Sequence, residues 1–190
     1  MNTNATLKPL ITVTLALLLS LANTLSLAQE RHEHGHADLE LSLDGSVLVW
    51  DWHIPTEAIM GFEYTPITAS ERSTWAQAES DLRQASLWLH TNAEAQCKVS
   101  GIDLAMPPVA PDAAPHETSS EKKGHRGHDG HSDIDWEVRM RCQHPDALHT
   151  ISASLFSRWP RLHRIHVQAA THHGQASGTL STQTPSMRLP

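Results

Sequence analysis

The stretch DLELSLDGSVLVWDWHIP, Asp38–Pro55, carries the clearest structural signal in this 190-residue chain. Leu39, Leu41 and Leu43 alternate with polar neighbours, which is the period of a strand with one buried face. Asp44-Gly45 reads as a two-residue hairpin turn. Val47–Ile54 is then the returning strand, with Trp50 and Trp52 on one face and Val47, Val49 and Asp51 on the other. Pro55 lacks an amide donor and ends it.

Beyond this hairpin, GFEYTPIT (Gly61–Thr68) is an irregular link. Thr68 and Glu71 have capping-box spacing. Trp75, Ala78, Leu82, Ala85 and Leu89 then recur at three and four residues, which predicts an amphipathic helix over Ala69–His90. Ala95, Cys97 and Val99 form a short strand. From Gly101 to Asp133 no period survives. Pro107, Pro108, Pro111 and Pro115 and the charged run Glu121-Lys122-Lys123 predict a mobile insertion at about 103–133, because this composition cannot bury a core. Ile134–Cys142 alternates again, with Trp136, Val138, Met140 and Cys142 on one face. His149–Phe156, Arg164–Ala170 and Ala176–Thr182 are further strands, and His172-His173-Gly174-Gln175 is a turn. The expected class is α+β: a mainly antiparallel β-sheet of six to eight strands, one amphipathic helix and a flexible His-rich insertion.

The chain start has its own pattern. Lys8 precedes an apolar run, Leu10–Leu21, and Ser26-Leu27-Ala28 offers small residues for cleavage. That is the arrangement of a secretory signal over residues 1–28, leaving a single domain over 29–190. No other apolar run is long enough to span a membrane. Loss of the signal removes one of 14 basic residues against 21 acidic ones, so the net charge moves from −7 to −8. An acidic chain is a poor partner for nucleic acid and can attract cations. Cys97 and Cys142 are the two cysteines. In an exported chain an even pair reads as one disulfide closing the base of the insertion, and the rival reading makes both thiolates zinc ligands.

Fifteen histidines exceed what packing needs. His125, His128 and His131 lie three apart in GHRGHDGH, with glycines that let the rings converge, and His116 lies in the same insertion. Asp129 and Asp133 can complete a shell or orient a ring. Neutral imidazole suits zinc, which takes three or four ligands. His32, His34 and His36 form HEHGH and share one face of an extended segment, as a second site or the rest of the first. His163, His166, His172 and His173 read as exposed surface residues, with a ligand role as the alternative. His53, His90, His144 and His149 read as isolated, partly buried histidines.

Taken in order, HGHADLELSLDG, GFEYTPIT, a lone Cys97, a His-rich insertion, HSDIDWEVRMRC ending at Cys142 and SLFSRWPRLHRIHVQAATHHGQASGTLS resemble the ZrgA-type family of periplasmic zinc-binding proteins. The resemblance covers nearly all of the chain after residue 28. It implies a periplasmic protein that binds zinc and supports zinc acquisition beside inner-membrane transport machinery. The family's metal region falls on His116, His125, His128 and His131, with His32, His34 and His36 as a second segment. The insertion here is shorter than in many members and contains Lys122, Lys123 and Arg126.

The expected function is reversible capture of one or more Zn2+ ions, as a buffer or a delivery protein. Nickel or copper is the alternative cargo, since His-rich segments bind both. A zinc hydrolase needs a rigid three-ligand site and a general base, and no HExxH or similar motif is present, so no enzymatic activity is expected.

Overall fold

The structure, a computed structural model, describes residues 34–109 and 132–190. The expected signal at 1–28, and His32, His116, His125, His128, His131 and Asp129, lie outside the described residues. The described chain runs β1 (His36–Asp44), β2 (Val47–Pro55), α1 (Thr56–Met60), α2 (Ala69–Leu82), β3 (Leu89–Thr91), β4 (Cys97–Ala105), β5 (Asp133–Cys142), β6 (Thr150–Ala153), α3 (Leu155–Arg158), β7 (Arg164–Thr171), β8 (Gly174–Ser181) and β9 (Ser186–Arg188). Six strands form one sheet in the order β4-β5-β2-β1-β7-β8, and β3-β6-β9 form a second. Every pairing is antiparallel except β1 with β7. Among the described residues, no helix is long and apolar enough to cross a membrane.

Alternation places the core on one face of the six-stranded sheet. Leu39, Leu41, Trp50, Trp52, Ile54, Ile134, Trp136, Val138 and Ile165 are buried there, and Trp75, Ala78 and Leu82 of α2 join the same cluster. Trp52 and Trp136 are register partners with ring centroids 5.8 Å apart, and Trp50 lies 6.4 Å from Trp52. The three indoles are fully buried and add large apolar area to this core. The opposite face is open and mostly polar, with Val47 and Val49 of β2 among its apolar members.

The sequence expectations are corrected at several points. The hairpin loop is Gly45-Ser46, with Asp44 the last strand residue and the partner of Val47. Gly45 has φ 54°, so it takes the first loop position, where glycine is favoured. The helix ends at Leu82 instead of His90. The Trp88 indole donates to the Asp81 carbonyl at 2.7 Å and closes the helix end, while Leu89–Thr91 pairs with β6. Ala85 and Leu89 still meet the core, from a 3-10 turn and a strand. Strand β4 continues to Ala105, because a bulge between Val99 and Gly101 shifts its register and hides the period. Leu155 and Phe156 belong to α3 and not to a strand. The strand count is nine among the described residues, with α1, α3 and β9 too short to give a periodic signal.

Two local devices hold the frame. Thr68 and Glu71 form the expected capping box. Glu71 accepts from the Thr68 amide, the Tyr64 hydroxyl and the Ile67 amide, which holds its carboxyl down at about 2. The same bond to Glu71 raises the Tyr64 phenol. Cys97 and Cys142 are bonded and are register partners. That is the expected disulfide, but it sits at the far end of the β4–β5 pair from Ala105 and Asp133 rather than at the base of the insertion.

Candidate metal centre

Antiparallel β7 and β8 are joined through His172 and His173, with Thr171 and Gly174 as register partners. Gly174 has φ 139°, a conformation that glycine adopts without strain. The Thr171 hydroxyl accepts from the His173 amide at 3.1 Å, which tightens the turn. Both rings are thereby brought together, with centroids 3.9 Å apart. Asp146 approaches them from a 3-10 turn, Pro145–Ala147, that follows β5. Its Oδ1 lies 3.0 Å from His172 Nε2.

One ligand atom from each of Asp146, His172 and His173 falls within 4.8 Å of the others, the one such triad of His, Cys or acidic residues among the described residues. Two imidazoles and a carboxylate suit a divalent transition ion with a further position open to water. The group is solvent-exposed, with the Asp146 side chain 87% accessible. An ion there would keep part of its hydration shell and exchange readily.

Of the HEHGH histidines, His34 and His36 take separate positions. His34 Nδ1 stands 3.5 Å from a Glu63 carboxylate oxygen and 3.8 Å from Glu57. Ser132, the residue after His131, is fixed at the same place: its hydroxyl oxygen lies within hydrogen-bond distance of the Glu63 carbonyl, at 3.0 Å, and of Thr56 Oγ1, at 2.9 Å. Ser132 and His34 thus both stand at Glu63. His36 opens β1, with its ring 5.7 Å from that of His166. Gly35 between them has φ 75°, and a Cβ there would lie 2.5 Å from the Arg161 carbonyl. Its own carbonyl accepts from the His163 amide at 2.7 Å, which locks the HEHGH segment to the start of β7.

His53, His90, His144 and His149 are all exposed, contrary to the expectation of partial burial. His53 and His90 sit on strands at positions that alternate with core residues, and all four can therefore remain in water. His172 and His173 do lie on the surface, as expected, but with a carboxylate that sequence reasoning missed. Asp146 is 26 positions before His172, and only the fold brings the two together.

The fold therefore defines a β-rich protein that presents imidazole and carboxylate ligands on its surface. A family model for the ZrgA family zinc uptake proteins matches residues 31–189, and the chain belongs to this family. No match is found among curated proteins. Membership ties the chain to zinc uptake and makes zinc the metal to consider first at its imidazoles.

Proposed function

We propose that the chain is a non-enzymatic periplasmic protein that captures Zn2+ reversibly through clustered histidines and hands it toward inner-membrane transport machinery. Membership of a zinc uptake family carries the reading. The ligands are His116, His125, His128 and His131, with Asp129 as an orienting or completing carboxylate, and His32, His34 and His36 as the adjoining segment. Ser132, the residue after His131, is anchored at Glu63, where His34 also stands. Asp146, His172 and His173 add a more exposed position. Exposed imidazole ligation suits a protein that must release its cargo, since protons and water compete for the same ligands. Zinc is favoured over nickel and copper by the family, and not by the donors, which accept all three.

Metal analysis of the untagged chain purified from the periplasm tests this reading. Zinc in excess of nickel and copper, lost when His125, His128 and His131 are replaced by Ala, is the expected result. Full zinc content in that variant would move the site away from the insertion.

A further inference from the structure

The open face of the six-stranded sheet carries a second set of ligands, at the opposite end of β7 from His172. Strands β2 and β7 flank β1, and Asp38 is the register partner of both His53 and His166. All three side chains stand on the exposed face. His36, one pleat along β1, shares that face and places its ring 5.7 Å from that of His166. On the other side of His53 its register partner is Asp135, whose Oδ1 lies 2.8 Å from His53 Nδ1.

The last contact has a chemical consequence. A carboxylate on Nδ1 fixes the ring and leaves Nε2 for another partner, which is how metal-ligating histidines are usually held. Strands β2 and β7 lie about 9.5 Å apart across β1, a span that two imidazoles can bridge to one ion above Asp38. Two rings on one tetrahedral zinc have centroids about 5 Å apart, close to the His36–His166 value. The next row of the same face places Glu40, Asp51, Glu137 and Asp103 in successive register. Arg139 pairs with Glu137 and Arg164 is the register partner of His36, so attraction of cations to the histidines rests on Glu40 and Asp51.

We propose that His36, Asp38, His53 and His166 form a zinc site on this face, with Asp135 as the positioning residue for the His53 ring. Three imidazoles and one carboxylate make a complete tetrahedral set. Closing it requires the ligand side chains to swing toward Asp38 between staggered rotamers. The site rests on the reading of the chain as a zinc-binding protein; it uses no residue of the insertion, and of the HEHGH segment it takes only His36.

The test compares zinc content after equilibrium dialysis for the untagged full chain and a His53→Gln, His166→Gln double variant, with circular dichroism to verify folding. The double variant is expected to hold one zinc ion fewer per chain. Equal content in a folded double variant would overturn the sheet site while leaving zinc capture elsewhere intact. A parent chain that holds no zinc would overturn the general reading and this site with it. In the parent chain the imidazole NMR resonances of His53 and His166 are expected to shift together as Zn2+ is added. Resonances that stay fixed to saturation would overturn the site whatever the variant does. Asp135→Asn is expected to weaken this site about 10-fold at unchanged stoichiometry, and an unchanged affinity would remove Asp135 from its role.

Discussion

Cys97 and Cys142 face each other in register, bonded at the end of the β4–β5 pair opposite to Ala105 and Asp133. Roughly 27 Å of paired strand separates the bond from the point where the chain leaves for the His-rich segment. The disulfide therefore stabilises the sheet edge and does not close the base of the insertion. It closes a loop of 45 residues, for which the chain-entropy model gives up to about 4 kcal/mol. Replacing both cysteines by Ala is expected to lower unfolding free energy by up to that amount in a denaturant titration. Zinc affinity of the folded variant is expected to be unchanged, and a joint loss of both would place the bond within the binding machinery.

Gly35 fixes where the HEHGH segment meets β7. A Cβ at this position would strike the Arg161 carbonyl and the His163 ring on a backbone with φ 75°. Gly35→Ala is expected to cost about 2 kcal/mol or more. Thermal denaturation checks this, and a neutral result would mean that the β1–β7 entry can relax without loss.

Glu71 gives the helix start an acid sensitivity. Its carboxyl sits at about 2 against an ordinary 4.5, chiefly through the Thr68 amide. A depressed folded value stabilises the fold fully above the ordinary value and loses that contribution as pH falls toward 2. Glu71→Gln keeps the shape and the reciprocal hydrogen bond of the capping box, so it isolates the charge. The melting temperature of the parent is expected to exceed that of the variant at neutral pH and to converge with it by pH 2. A difference that stays constant across this range would assign the effect to shape alone.

The exposed triad makes a separate prediction. Replacing Asp146 by Asn and His172 and His173 by Ala is expected to remove a weak zinc position while changing stability by only about 0.5 kcal/mol. A competition titration against a chelator of moderate affinity reads the loss. An unaltered titration would reduce Asp146 and His172 to a surface ion pair.

Much of this fold is legible in the sequence. Leu39–Leu43 and Leu48–Ile54 alternate cleanly on either side of the turn, and Thr68 and Glu71 announce the helix start by a local bond. The helix end is not legible, because Ala85 and Leu89 keep a helical period while meeting the core from a 3-10 turn and a strand. Strand β4 is cut short in the sequence reading because the bulge before Gly101 reverses its parity. The ligand sets follow the same division. Neighbouring histidines such as His34 and His36, or His172 and His173, are visible as strings. Asp146 beside His172, and Asp38 between His53 and His166, depend on register and loop packing that no local pattern encodes.

Calorimetric titration of Zn2+ into the untagged chain at about pH 7.5 and about pH 5 tests the central claim most directly, because protons displace metal from imidazole across this interval. The account predicts tight binding at the higher pH and loss of most of it at the lower. Equal affinity at both would contradict capture of zinc by histidines.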